Sequence, residues 1–326
     1  MPEAARSTIE VGRGLPQPRR VVGLEDAYAH CAAVVRDSDS SFASAFWMFP
    51  KPRRRALHAI YAFCRLADDI ADDPEVQGDR NALLARWREE LRGAYAGTPQ
   101  HPVGVALADS VRRFDLPEAH FLELLEGVEM DLHGVVMKRF EDLRRYCHCV
   151  ASTVGLLVVR VLGVRDPRAF EYADQLGIAV QLTNVLRDVG GDAAQGRIYL
   201  AREDLARLDV SEVSLRGEPM APELRLLLAL YAERARLHYE AAAASLPEEE
   251  RRRLRPAEAM GRIYRELLEE LQAQGFPCLG PPLRLSRRRR LGIAASTWLG
   301  LGARRGAVPR RDGLLLADRW ATPGQR

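Results

Sequence analysis

The 326-residue sequence lacks any long hydrophobic run. Met1 to Arg20 is polar, with Pro and Arg, and holds no apolar stretch of the kind a secretory signal needs. The longest mostly apolar stretch near the end, Leu291 to Leu301, is too short to span a bilayer. Net charge is also small. Lys+Arg 48 against Asp+Glu 45 leave +3, which gives no ground for a nucleic-acid partner. The five cysteines are odd in number and scattered. Cys147 and Cys149 flank His148, but no partner CxxC or HxxxH completes a zinc site. They read as small buried residues of a reducing compartment, so the expected location is the cytoplasm. Strand-like alternation and internal repeats are absent as well.

What is present is helical. From Leu24 onward Ala, Leu, Arg and Glu dominate, and apolar residues recur every three or four positions, as in Ala56, Ala59, Ile60, Phe63, Ala67 and Ile70. Pro and Gly mark breaks near residues 49–52, 97–102, 115–117, 165–167 and 246–247. The expectation is a flexible leader over 1–22, one all-α domain over 23–290 and a partly disordered tail over 291–326.

Two polar stripes carry the chemistry. In the first, Tyr61, Arg65, Asp68 and Asp72 are spaced four, three and four apart, which puts them on one helix face. Carboxylates at that spacing repel each other, and a bound divalent cation is one reason to tolerate it. In the second, Gln181, Asn184, Asp188 and Asp192 again share a face. The amides add neutral carbonyl ligands and donors. One such stripe is as well explained by a solvated acidic face. Two of them match the way bundles build metal sites from facing helices. The pattern suits ionisation of an allylic diphosphate, with cations on the leaving group and an apolar, aromatic pocket for the carbocation. Phe42, Phe46, Tyr61, Phe63 and Tyr146 are candidates for that lining.

At these residues the chain resembles the squalene/phytoene synthase family. The resemblance rests on Ser41-Phe42, on Ala59 to Asp72, and on Tyr146-Cys-His-Cys-Val-Ala with Val154-Gly155. It continues through Gln181 to Asp188, Gly196-Arg-Ile-Tyr-Leu200 and Ile263-Tyr264. It implies the single-domain helical isoprenoid synthase bundle with a central active-site cavity. It also implies Mg2+ on Asp68, Asp72, Asn184, Asp188 and Asp192, with diphosphate held by Arg65 and Arg187. Ser41 and Gln181 would lie beside these groups. Tyr146 takes the family's catalytic tyrosine position, where it either assists proton removal or steadies the cation. Phe42, Tyr61 and Tyr264 would shape the prenyl tunnel. The family usually has Glu where this chain has Gly191, after Gly190. Two glycines weaken a helix by about 1 kcal/mol each, so the helix is expected to end early and displace Asp192. Position 149 is Cys where some relatives carry a second tyrosine, leaving Tyr146 alone in that motif.

The ending, Ala259 to Leu268 with Leu283 to Ser286, resembles the bacterial presqualene diphosphate synthases of the hopanoid branch. That resemblance implies farnesyl diphosphate as substrate, with geranylgeranyl diphosphate and phytoene formation as the alternative. The Gly-rich stretch at 300–306 is no dinucleotide fingerprint, so the sequence gives no support for NADPH, although the family's reductase step does not rely on that fingerprint. The Arg run 287–290, followed by apolar Leu291 to Leu301, reads equally as a peripheral contact with anionic lipid or as a solvated helix face.

Overall fold

The computed structural model describes residues 23–38, 46, 49–73, 75–134, 136–217, 220–277 and 280–300. Among them every regular element is a helix. The order is α1 (Leu24–Asp37), α2 (Lys51–Asp72), α3 (Arg80–Ala96), α4 (Pro102–Phe114), α5 (Glu118–His133) and α6 (Phe140–Cys147). After a π-turn over His148–Ser152 come α7 (Thr153–Val161), α8 (Pro167–Ala194), α9 (Arg202–Arg207), α10 (Pro222–Ser245), α11 (Arg251–Ala273) and α12 (Arg287–Trp298).

The breaks expected from Pro and Gly are where the helices stop and start. Pro102, Pro167 and Pro222 each open a helix, where a missing N–H costs nothing. The Asp166 carboxylate accepts from Arg168 N at 2.9 Å and caps α8. Gly97, at φ 81°, ends α3 in a left-handed conformation that L side chains avoid. α12 runs straight through residue 290, where the sequence placed the end of the folded domain. The expected leader over 1–22 and the tail from 301 lie outside the described residues.

Two apolar cores flank the site. One gathers α1–α5 around Phe63, Leu107 and Phe121, and the other gathers α6–α11 around Tyr231, Leu182 and Leu228. α7 is the wall between them: Leu157 and Val161 face the first core, Leu156 and Val159 the second. α2 and α5 come from the first half and α8 from the second, so their polar stripes meet at the seam.

Helix contact at the seam is set by glycine. At Gly177 on α8 an added Cβ would lie 2.5 Å from Ser152 Cα, and at Gly127 on α5 it would lie 2.6 Å from Val150 Cγ1. The π-turn is thus wedged against both helices. Gly191 differs, since a Cβ there would meet nothing within 4 Å. Gly177→Ala should therefore lose about 1–3 kcal/mol of stability through overpacking against backbone that cannot yield. Gly191→Ala should gain about 0.5–1 kcal/mol. Urea unfolding midpoints of the two variants check both signs.

Candidate active site

The first acidic stripe sits on the last turns of α2, the end of a helix that already carries partial negative charge. Arg80 offsets this. Its guanidinium donates to the carbonyls of Ile70 (3.1 Å), Ala71 and Asp73 (2.8 Å). Arg65 pairs with Asp69 at 2.6 Å, one turn on. Asp72 is held from outside its helix by Arg197, at 2.6 Å. The Asp68 side chain opens to solvent on one side and is hemmed in by protein on the others. That surround, then the Asp72 carboxylate one turn away, raise its pKa to about 7.

The second stripe lies on α8. This helix does not end at Gly190-Gly191. It continues to Ala194, because the last two or so turns beyond Leu186 remain packed through Val189 and Ala193, both buried. The expectation of an early stop is corrected, and Asp192 keeps helical register with Asp188 and Asn184. Arg187 clasps its neighbour Asp188 with two bonds, Nε at 2.8 Å and NH2 at 2.5 Å. Tyr264, from α11, adjoins the same guanidinium. Burial, then the Asp188 charge, raise the Asp192 pKa to about 7. Asn184 donates to Gln181 Oε1 at 3.2 Å, while its own Oδ1 is buried with no partner.

A fifth carboxylate, on a third helix, joins them that the stripes did not reveal. Asp131, on α5, accepts from Tyr146 at 2.8 Å on one oxygen and from Tyr199 at 2.6 Å on the other. The two rings stack with centroids 4.9 Å apart and planes at 25°. So Tyr146 has a tyrosine companion after all, delivered by the segment that follows α8. Burial, then the Asp131 charge, push the Tyr146 phenol well above the usual tyrosine range, so it stays protonated. Arg197 reaches the same cluster, since Gly196, at φ 80°, reverses the chain after α8. Asp131 sits among Glu126, Glu129 and His133, and nothing in its spacing sets it apart. Arg197 and Tyr199 stood inside a recognised motif without a role.

The donor set fits a divalent cation. Asp68 and Asp72 on α2 and Asp192 on α8 each lie within electrostatic reach of Asp131, and the orphaned Asn184 Oδ1 is a buried oxygen in want of a positive partner. Among the described residues no three His, Cys, Asp or Glu side chains stand close enough together to hold a metal ion by themselves. Magnesium commonly uses one or two carboxylates and completes its shell with water and phosphate oxygens, so an open arrangement suits it.

The aromatic lining divides. Tyr61 is half-buried and meets Phe46 edge-on at 6.2 Å. Phe63 does not face the site. It is fully buried between Trp87 (5.2 Å) and Phe121 (5.3 Å), a core residue of α2, because its position on the helix points toward α3 and α5. Ser41 and Phe42 lie outside the described residues.

The π-turn that follows Tyr146 carries His148. Its Nδ1 bonds Asp174 on α8 at 2.6 Å, and its Nε2 stands 3.8 Å from Glu123 on α5. Glu123 also bonds His120 at 3.1 Å. The hydrogen bond with Asp174 raises the His148 pKa above the ordinary 6.5. Below the free-histidine value the imidazolium contributes its full stabilisation, and this is lost as pH rises through the higher folded value. His58, His101 and His238, lowered to about 4 by burial, act in the opposite sense but are shared with any His148 variant. The stability difference between the parent and His148→Gln should therefore shrink as pH rises above the free-histidine value, as read from urea unfolding at each pH.

The squalene/phytoene synthase family pattern matches residues 35–290. Presqualene diphosphate synthase of Rhodopseudomonas palustris is 35% identical over 255 residues, covering 78% of this chain and 91% of that one. The 15-cis-phytoene synthase of Synechococcus elongatus is 33% identical over 270 residues, 79% of this chain and 88% of that one. Some relatives are longer, and the match spans 63% of Zea mays phytoene synthase 1. A crystal structure of a dehydrosqualene synthase with ligand superposes with a TM-score of 0.76 at 31% identity, covering 86% of this chain and 98% of that one. Three helices bearing carboxylates around a buried tyrosine pair, on a fold and sequence shared with these enzymes, place the chain in the squalene/phytoene synthase family.

Proposed function

We propose that the chain condenses two farnesyl diphosphates head to head into presqualene diphosphate. The observation that carries this reading is the convergence of the α2 and α8 carboxylates on the Tyr146–Asp131–Tyr199 cluster. An ionising site and a proton-handling site then share one cleft. The farnesyl choice is supported by the Ala259–Leu268 and Leu283–Ser286 resemblance to presqualene diphosphate synthases and by the likeness to a dehydrosqualene synthase. Phytoene formation from geranylgeranyl diphosphate is the second reading, favoured by relatives such as that of Synechococcus elongatus.

Asp68 and Asp72 from one side, and Asn184, Asp188 and Asp192 from the other, would hold magnesium together with the substrate diphosphate. When bound, the metal neutralises charge developing on the departing diphosphate. Arg187 and Arg197 now rest on carboxylates and can turn to phosphate oxygens, and Arg65 stands at the mouth with its side chain about half exposed. Gln181 and Tyr264 position the group beside Arg187. Tyr61 with Phe46 offers an aromatic face to the prenyl chain.

Closure of the cyclopropane ring releases a proton from substrate carbon. The Tyr146 oxygen accepts it while its own proton passes to Asp131, 2.8 Å away. Burial raises the Asp131 pKa, which favours that transfer, and Tyr199 steadies the second oxygen. A free phenolate is not needed, since the pair moves one proton through a preformed hydrogen bond.

Mass spectrometry of products from purified enzyme, magnesium and either diphosphate tests the proposal, with and without NADPH. Presqualene diphosphate from farnesyl diphosphate without NADPH is expected. A C40 product alone would transfer the enzyme to the second reading. Tyr146→Phe should lower turnover about 10²–10⁴-fold with little change in KM, seen in the same assay under steady state.

Asp68 bears on stability in a defined direction. Its folded pKa lies above its ordinary value, so ionisation opposes folding increasingly as pH rises from about 4 to 7. Asp68→Asn should therefore raise the Tm at pH 8 without metal while abolishing turnover. Magnesium with inorganic pyrophosphate should raise the Tm of the parent more than that of the variant, as followed by calorimetry.

A further inference from the structure

Seven large apolar side chains stand exposed among the described residues, and three of them share α12 and its C-cap: Leu291 (60%), Trp298 (39%) and Leu299 (72%). Spacings of seven and eight residues put them on one helix face. The opposite face holds the helix to the body. Ile293 and Thr297 are buried, Arg262 on α11 donates to Thr297 Oγ1 at 2.6 Å, and Arg289 bonds Glu266 at 2.7 Å. These contacts run α12 antiparallel to α11, with Leu291, Trp298 and Leu299 turned outward. No helix here is long and apolar enough to cross a membrane.

Charge accompanies the stripe. Arg284, Arg287 and Arg288 are exposed at the start of α12, and no carboxylate pairs with them among the described residues. α12 itself contains no Asp or Glu. At its far end a cleft of about 580 Å³ opens beside Trp298, floored by Phe49, Leu162 and Pro256. Arg53, Arg252 and Arg253 line that cleft together with Glu249 and Glu250, so its charge is mixed and the cationic surface is that of α12 itself.

We infer that the outward face of α12 forms a docking surface for an anionic lipid bilayer. Exposed Leu and Trp on a helix whose first turn is arginine suit the boundary between headgroups and acyl chains, with guanidinium groups on lipid phosphates. Nucleic acid would use the arginines and leave the apolar stripe wet. A second copy meeting at this face would bring arginines to a helix that has no carboxylate. The inference stands on the surface alone and holds whichever prenyl diphosphate is the substrate.

The test is sedimentation of the full chain with vesicles of phosphatidylcholine, and with vesicles also containing phosphatidylglycerol. The protein should pellet with the anionic vesicles, and less so as salt rises. Arg287→Ala/Arg288→Ala should weaken partitioning about tenfold or more, and Leu291→Glu/Leu299→Glu should weaken it at least as much. Both pairs are exposed, so melting by circular dichroism should match the parent, as should product formation in detergent. Three results would overturn the inference: no binding of the parent to anionic vesicles, equal binding to neutral ones, or variants that bind as the parent does. A dimer seen by light scattering that the Leu291→Glu/Leu299→Glu variant dissolves would also overturn it, in favour of a second copy. Absence of turnover in every protein would count against the proposed reaction and leave the sedimentation result standing.

Discussion

Carboxylates on α2, α5 and α8 repel one another across one cleft, and much of the molecule is arranged to hold them there. Two of them sit at the unfavourable end of a helix, and each i,i+4 pair adds a few tenths of a kcal/mol of repulsion. Local charge only partly answers this: Arg80 caps the α2 carbonyls, Arg187 clasps Asp188, and Arg197 bridges to Asp72. The rest comes from distance in sequence. Two separate apolar cores anchor α2 and α8, so neither helix can move away from the seam without opening a core.

Placing Arg197 and Tyr199 depends on a further buried arrangement. The segment after α8 is tied down where Ala201 N donates to the Tyr231 hydroxyl and Arg202 N to the Met137 carbonyl, both at 2.8 Å. Tyr231 in turn donates to Asp204 at 3.0 Å, and Arg234 pairs with the same carboxylate at 2.5 Å. Asp204 is 1% exposed, so this pair contributes little net stability against its desolvation. Its effect is directional, because an acid buried there accepts one set of partners. The return segment is then fixed in a single path beneath the site.

The helical stripes were legible because period and charge coincide in them: Asp68 and Asp72, or Asn184, Asp188 and Asp192, declare one face by spacing alone. Asp131 was not legible, since its partners Tyr146 and Tyr199 come from 15 and 68 residues away and only packing brings them together. Phe63 misled for the related reason that periodicity marks it as apolar without saying which side of α2 faces the cleft. The continuation of α8 past Gly190-Gly191 shows tertiary contact overriding propensity. Val189 and Ala193 are buried on α8, and the packing that buries them outweighs the glycines' preference to unwind.

The same electrostatics constrain what can enter the cleft. Five carboxylates, Asp68, Asp72, Asp131, Asp188 and Asp192, are answered by two guanidinium groups, those of Arg187 and Arg197, since Arg65 pairs with Asp69. Burial and a neighbouring carboxylate raise two of the five, Asp68 and Asp192, to about 7, which eases the excess of negative charge. A diphosphate arriving alone would restore the excess and pull its arginines away from Asp72 and Asp188, leaving those acids unpaired. On the proposed reading, a diphosphate arriving with divalent cations would bring the positive charge that the released carboxylates require. Substrate and metal would then favour each other's binding through Arg187 and Arg197, each of which can face one anion at a time.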